Sequence, residues 1–201
     1  MRKIVLLTLF SIFSLANSVN AELATGQTAP IFTLQDFHGK MQSLSDYRGK
    51  YVVLEWWNSD CPFVQKQYNS KNMQNLQKVY TEKGVIWFSI NSSVSGKQGN
   101  YPAEEIVRLI SEKGAVPTTV LLDSDGTVGH MYGAQTTPHM FIINPLGELI
   151  YQGAIDSVPS VDPADIATAV NYVSQALEEA MAGQPVSVSL TKSYGCSVKY
   201  E

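Results

Sequence analysis

The sequence predicts an α/β fold: a mainly parallel central sheet, helices on both faces and a terminal β-hairpin. From residue 51 onwards, short apolar segments typical of buried strands alternate with segments of helical periodicity, which is the pattern of a parallel sheet covered on both faces. Residues 140–143 and 148–152 are strand-like and are separated by Asn-Pro-Leu-Gly, which predicts the hairpin. Functional sites in such sheets lie at the carboxyl ends of strands.

The first 21 residues have the pattern of a secretory signal. Arg2 and Lys3 are basic, residues 4–15 are apolar, and residues 19–21 (Val-Asn-Ala) form a small-residue cleavage site. An uncleaved N-terminal anchor is the alternative, although the apolar run is short for a membrane span. We therefore expect a periplasmic or secreted protein without stable membrane association after cleavage.

Composition limits what the mature chain can do. Removal of two basic residues from a chain of net charge −4 leaves −6, which argues against nucleic acid or anionic membranes as partners. Residues 22–183 suit a single domain with a full-sized core. Residues 184–201 read as an extended C-terminal tail that carries Cys196.

The elements follow from local patterns. Strands are predicted at residues 51–57, 85–90 and 118–122. A helix is predicted to begin at Pro62, whose missing N–H costs nothing at the first helical position, and to end near Lys83-Gly84. Residues 23–36 read as an extended segment before a turn, and residues 41–50 as a polar connection. The other predicted helices are residues 102–113, 128–132 and 162–181.

Cys61 is predicted to lie at the start of a helix, directly after a buried strand. Free backbone N–H groups and the positive end of the helix dipole favour a thiolate there, so Cys61 is a candidate redox nucleophile. The only other cysteine is Cys196. The pair is either a structural disulfide that ties the tail to the domain or a redox couple, and the Ser-, Gly- and Lys-rich tail favours a mobile partner.

Three motifs occur in the order found in one known superfamily. Residues 57–64 (Trp-Asn-Ser-Asp-Cys-Pro-Phe-Val) resemble the active-site turn Trp-x-x-x-Cys-Pro-x-Cys. Residues 132–143 resemble the segment that holds a cis-proline, here Pro138, and residues 29–39 resemble the opening Ala-Pro-x-Phe-x-Leu-x-Asp-x-x-Gly. The chain thus resembles the thioredoxin superfamily, in the exported branch that groups thiol-disulfide reductases with alkyl hydroperoxide reductase/thiol-specific antioxidant proteins.

The resemblance implies a thiol-dependent oxidoreductase with a thioredoxin-like fold and no bound cofactor or metal. The substrate would be a peroxide or a protein disulfide, and an external thiol would be the reductant. Cys61 would attack the substrate and Cys196 would resolve the product. Glu55 would be a buried proton acceptor, although a carboxylate that reaches solvent is the alternative. The resemblance further implies substrate-binding roles, assigned to Trp57, Thr137 and Pro138.

The chain departs from the superfamily at informative positions. Val64 replaces the second cysteine of the turn, so no disulfide can form within it. Leu54 and Asn58 occupy the positions of the Pro and the Thr or Ser that peroxiredoxins carry. The alternatives to a peroxiredoxin-like enzyme are a reductase or isomerase of exported disulfide proteins and a non-enzymatic redox or copper-binding protein, in which His139 would be a ligand.

Overall fold

The computed structural model describes residues 23–200, so the predicted signal peptide lies outside the described residues. A seven-stranded sheet dominates the fold, and a two-stranded sheet lies beside it. The strands are β1 (Thr33–Asp36), β2 (Met41–Ser43), β3 (Val52–Trp56), β4 (Ile86–Asn91), β5 (Thr119–Leu122), β6 (Thr136–Thr137), β7 (His139–Ile143), β8 (Leu149–Gly153) and β9 (Cys196–Ser197).

The large sheet has the order β2-β1-β5-β4-β3-β7-β8. Only its centre is parallel, because β3 pairs with β4 and β4 with β5 in parallel, whereas the outer pairings are antiparallel. The predicted thioredoxin-like α/β sheet and its β7–β8 hairpin are therefore confirmed, and its parallel character is partial. β3 is buried along its whole length, so the residues that follow it start from a fixed position.

Helices cover both faces of this sheet. They are α1 (Pro62–Asn69), α2 (Asn72–Glu82), α3 (Ala103–Lys113), α4 (Thr127–Tyr132) and α5 (Tyr172–Met181), with short 3-10 turns at Leu44–Tyr47 and Pro163–Ala167. α1, α2, α3 and α5 pack on one face around Trp87 and Met140. α4 and the first 3-10 turn pack on the other face around Trp56 and Phe88.

Two of the predicted helices are interrupted. The single helix expected from Pro62 to Lys83 is wrong, because Lys71 adopts a left-handed conformation (φ 65°) between α1 and α2. The apolar spacing of five between Tyr68 and Met73 already departs from helical periodicity. The helix expected over residues 162–181 is likewise split. Asp162 caps the 3-10 turn and Asn171 caps α5, each by accepting a backbone N–H with its side chain.

The C-terminal tail lies along the domain. It first runs beside β8, where the Gln152 N–H donates to the Ser189 carbonyl (3.0 Å) and the Thr191 N–H donates to the Gln152 carbonyl (3.1 Å). It then forms β9, which pairs antiparallel with β6. Further on, the Val94 N–H donates to the Lys199 carbonyl (3.0 Å). The tail therefore passes over the carboxyl end of β3. Within residues 23–200, none of the helices is long and apolar enough to span a membrane.

Candidate active site

Cys61 occupies the N-cap of α1, with Pro62 at the first helical position. The preceding turn is held at both ends, because the Trp57 N–H donates to the Ile90 carbonyl (2.8 Å) and the Cys61 N–H donates to the Asn58 carbonyl (3.1 Å). The N-cap position directs the sulfur toward the unpaired N–H groups of the first helical turn. The local sequence therefore creates an environment that favours a thiolate.

The two cysteines meet at this position. Both are free thiols, and Cys61 Sγ lies 2.8 Å from Cys196 Sγ, whereas a disulfide requires about 2.0 Å. The Cys61 thiol also approaches the carbonyl oxygen of Thr137 at 2.9 Å. The Thr137–Pro138 peptide bond is cis, as the motif predicts. Cys196 lies opposite Thr137 in the β6–β9 pair, so β6 places both sulfurs.

The electrostatics of the pair are asymmetric. Burial alone would raise the pKa of Cys61, but hydrogen bonds from the Cys196 thiol and the Val64 N–H outweigh it, and the pKa is lowered. The Thr137 carbonyl, as an acceptor, favours the protonated thiol and limits this effect. Burial and the neighbouring Cys61 raise the pKa of Cys196 to about 11, although Lys199 opposes the shift. Cys61 is therefore the more acidic of the two thiols, and Cys196 is the one that keeps its proton to higher pH.

The tail covers the sulfur of Cys61. Cys61 is 0% exposed, whereas Cys196 is partly exposed. The close approach of the tail depends on Gly195, whose φ is 143°. A Cβ at this position would lie only 2.1 Å from the carbonyl oxygen of Thr137, so a larger residue does not fit. A molecule from solvent can therefore reach Cys61 Sγ only when the tail moves.

Glu55 is completely buried on β3. The alternative of a carboxylate that reaches solvent is therefore excluded. Burial raises its pKa, although four hydrogen-bond donors oppose the shift. Tyr68 donates to Oε1 at 2.8 Å, and the donors to Oε2 are Gln77, Trp87 and Ser89 at 3.2, 2.9 and 2.9 Å. Cys61 is not among its hydrogen-bond partners in the described chain, so the geometry gives no direct proton transfer between the two.

A hydrogen-bonded group that the motifs did not reveal supports the active-site turn. The Tyr101 hydroxyl donates to Asn58 Oδ1 (3.0 Å) and accepts the Asp60 N–H (3.1 Å). Its ring lies 5.6 Å from that of Trp57, which is itself buried. The sequence signal was weak, because Tyr101 follows a Ser/Gly-rich loop and lies 40 residues beyond Cys61.

His139 lies directly after the cis-proline and is largely buried. Burial lowers its pKa to about 4, so the imidazole is neutral at pH 7. Its Nδ1 accepts the Gln135 N–H at 3.3 Å. Among residues 23–200, no group of three or more His, Cys, Asp or Glu side chains is close enough together to hold a metal ion.

Known proteins share this architecture. The profile of the AhpC/TSA family matches residues 25–152, which include Cys61 and Pro138 and exclude the tail. The thiol-disulfide oxidoreductase ResA of Geobacillus thermodenitrificans is 28% identical over 154 residues, which are 74% of this chain and 83% of that protein. The Bcp protein of Coxiella burnetii, whose name assigns it to the peroxiredoxins, is 31% identical over 121 residues, 59% of this chain and 72% of that protein.

A solved structure extends the likeness over most of the chain. An uncharacterized conserved protein from Geobacillus kaustophilus matches with a TM-score of 0.74 and 27% identity, covering 89% of this chain and 93% of that chain. The family profile spans well over half of the sequence and includes the cysteine at the start of α1. The chain therefore belongs to the AhpC/TSA family, and it is a thiol-dependent oxidoreductase.

Proposed function

We propose that the chain is a two-cysteine oxidoreductase in which Cys61 is the nucleophile and Cys196 resolves the oxidised product. The observation that carries the proposal is the 2.8 Å distance between the two sulfurs. The asymmetric pKa values support the division of roles, because the thiolate is the attacking species and Cys61 is the cysteine whose pKa is lowered.

The favoured substrate is a disulfide. The Cys61 thiolate attacks one sulfur of the substrate, a mixed disulfide forms, and the first substrate thiolate leaves. Cys196 then loses its proton and attacks Cys61 Sγ, which releases the second substrate thiolate and forms the Cys61–Cys196 bond. The substrate gains two electrons and the enzyme loses two. An external thiol reductant returns the enzyme to the dithiol form.

A peroxide is the second candidate substrate, favoured by the similarity to the Bcp protein named as a peroxiredoxin. Attack by Cys61 would break the O–O bond, release water or an alcohol and leave a sulfenic acid on Cys61. Attack by Cys196 on that sulfur would then form the Cys61–Cys196 bond and release water. Two side chains weigh against this reading. Leu54 packs in the core on the opposite face of the sheet from Cys61. The Asn58 side chain is engaged by Tyr101, the Asp60 N–H and the Gln98 carbonyl. Neither residue replaces the peroxide-binding groups of peroxiredoxins.

Substrate contacts are proposed for the residues around β6. With the tail displaced, the backbone of Thr137 before Pro138 would pair with an extended substrate chain. Trp57 would support the wall beside Cys61 through its contact with Tyr101. These assignments rest on the motifs and on the position of β6 next to Cys61.

Glu55 is proposed as a proton acceptor that acts through an intervening group. Its burial and its raised pKa support this role. The Glu55→Gln variant tests it, because loss of a general base should slow the attack by Cys61 about a hundredfold. An unchanged rate would reject the role.

The predicted signal peptide supports an exported location, where an oxidising environment would supply disulfide substrates. The test of the whole scheme compares wild type, Cys61→Ser and Cys196→Ser after mixing with oxidised glutathione or hydrogen peroxide. Mass spectrometry should find a Cys61–Cys196 bond in wild type and a glutathione adduct on Cys61 in Cys196→Ser. If neither oxidant produces the Cys61–Cys196 bond in wild type, the proposal is overturned.

A further inference from the structure

A buried charged cluster lies next to the thiol pair and takes no part in the chemistry described above. Lys66 and Asp156 are 1% and 2% exposed, and their Nζ and Oδ2 atoms lie 3.5 Å apart. The Asp156 carboxylate also accepts hydrogen bonds from Gln67 Nε2 (2.6 Å), from the Val158 N–H (2.8 Å) and from the Tyr194 hydroxyl (2.6 Å). We call Lys66, Gln67, Asp156 and Tyr194 the Asp156 cluster.

The cluster connects the tail to the helix that carries the nucleophile. Tyr194 lies two residues before Cys196, whereas Lys66 belongs to α1, whose N-cap is Cys61. The Tyr194 ring packs against Phe63 of the same helix at 5.8 Å and lies 5.8 Å from Lys66 Nζ. These contacts therefore connect the tail directly to α1, in addition to the β6–β9 pairing.

The hydroxyl of Tyr194 is not needed to satisfy the buried charges. Lys66 Nζ has a second partner in the Val158 carbonyl at 2.7 Å, and Asp156 has three other donors. The hydrogen bond from Tyr194 therefore serves mainly to hold the tail. A cleft of about 380 Å³ lies beside this segment, lined in part by Asp156, Lys192 and Tyr194, so the segment is open on that side.

We propose that Tyr194, through its hydrogen bond to Asp156, is a positioning residue that keeps Cys196 within reach of Cys61 during the resolution step. This inference rests on the proposed two-cysteine function. Resolution of a mixed disulfide on Cys61 requires the sulfur of Cys196 to return to bonding distance after the tail has moved aside. The cluster is the docking point that brings it back, because its other members are fixed in the domain.

The test uses the reduced full chain and one equivalent of the aromatic disulfide dithiobis(nitrobenzoate) (DTNB). Cleavage of its disulfide releases a coloured thiolate. Attack by Cys61 leaves a mixed disulfide and releases the first coloured thiolate. Attack by Cys196 on Cys61 Sγ then releases the second and leaves the intramolecular disulfide. Stopped-flow absorbance separates the two phases. Tyr194→Phe removes only the hydroxyl, and Tyr51→Phe is the matched control, because its hydroxyl donates to the Ala180 carbonyl (2.8 Å) in α5.

Tyr194→Phe should slow the second phase about tenfold, the effect of one hydrogen bond to a charged acceptor, while the first phase is unchanged or faster. Tyr51→Phe should leave both phases at wild-type rates. A second phase in Tyr194→Phe that matches the control, or a loss of rate in both phases, would overturn the inference. Release of a single thiolate by wild type would instead overturn the proposed function, so the two failures are distinguishable.

Discussion

Cys196 lies directly opposite Thr137 in the antiparallel pair β6–β9, and the carbonyl oxygen of the same Thr137 lies 2.9 Å from Cys61 Sγ. Thr137 is therefore both the strand partner of Cys196 and the hydrogen-bond partner of Cys61. In the reduced protein the two sulfurs are aligned by backbone pairing without a covalent bond. Separation of the two sulfurs thus requires β9 to leave β6 but requires no covalent bond to break.

The opposite pKa shifts of the two neighbouring thiols give a prediction about pH. In Cys196→Ala, the pKa of Cys61 should rise, because the thiol that donates a hydrogen bond to the Cys61 thiolate is gone. In Cys61→Ala, the pKa of Cys196 should fall from about 11, because burial remains but the neighbouring thiolate no longer opposes ionisation. Titration of thiolate ultraviolet absorbance in each single-cysteine variant measures both changes. If each midpoint is the same with and without the other thiol, the two thiols are not coupled and the prediction is wrong.

His139 gives a prediction about stability in acid. Its pKa is lowered from 6.5 to about 4 by burial, so the unfolded chain binds a proton in this interval and the folded chain does not. Stability contributed by neutral His139 is present above pH 6.5 and is lost as the pH falls toward 4, by at most about 3 kcal/mol.

Denaturant unfolding of wild type and His139→Asn, measured across this pH interval, isolates the effect. Asparagine retains an acceptor for the Gln135 N–H but has no titratable group. The free energy of unfolding of the variant should therefore depend less on pH than that of wild type. Parallel curves for the two proteins would contradict a neutral, buried His139.

The chemistry-bearing part of the fold was predictable because its signals are local. Pro62 at the first helical position locates the helix start, and the buried segment before it predicts β3, so the place of Cys61 at the carboxyl end of a strand follows. The cis-proline was predictable from a motif of adjacent residues. The edge strand β2 was not, since it has only three residues and lies in a polar segment.

The environment of the thiol pair depends on contacts between distant residues. Tyr194 and Asp156 are 38 residues apart, and Cys61 and Cys196 are 135 residues apart. Tail composition predicted mobility, whereas the tail is docked by backbone pairing that no compositional signal reveals. The burial of Glu55 was one of two open alternatives, because the strand pattern does not say which polar partners meet a buried carboxylate.

Glu55 gives a prediction of the opposite sign to that of His139. Its pKa is raised above 4.5 by burial, so the folded chain holds its proton at a pH where the unfolded chain has lost it. The resulting stability is present below pH 4.5 and is lost as the pH rises through the folded pKa. In Glu55→Gln this loss should disappear, and thermal unfolding as a function of pH would detect the difference. A variant that keeps the wild-type pH dependence would show that Glu55 ionises normally.

Gly195 gives the most direct test of the covered site. In Gly195→Ala the new Cβ would meet the Thr137 carbonyl oxygen at 2.1 Å, and the backbone would be held at a φ of 143° that L residues rarely adopt. The tail should therefore leave β6. We expect Cys61 to be alkylated by iodoacetamide at least about tenfold faster. Loss of the free energy of one hydrogen bond between β6 and β9 already shifts the equilibrium toward the displaced tail by about that factor.

Gly183→Ala is the matched control for Gly195→Ala, since Gly183 also has a positive φ (74°) but a Cβ there would meet no atom within 4 Å. The control should keep the slow alkylation of wild type, because backbone strain at Gly183 lies after α5 and creates no clash with the β6–β9 pair. Equal alkylation rates in Gly195→Ala and in the control would mean that the tail does not limit access to Cys61. A faster rate only in Gly195→Ala would establish that strand separation at β6 exposes the nucleophile, since the substitution alters no group that contacts Cys61 other than the tail and Thr137.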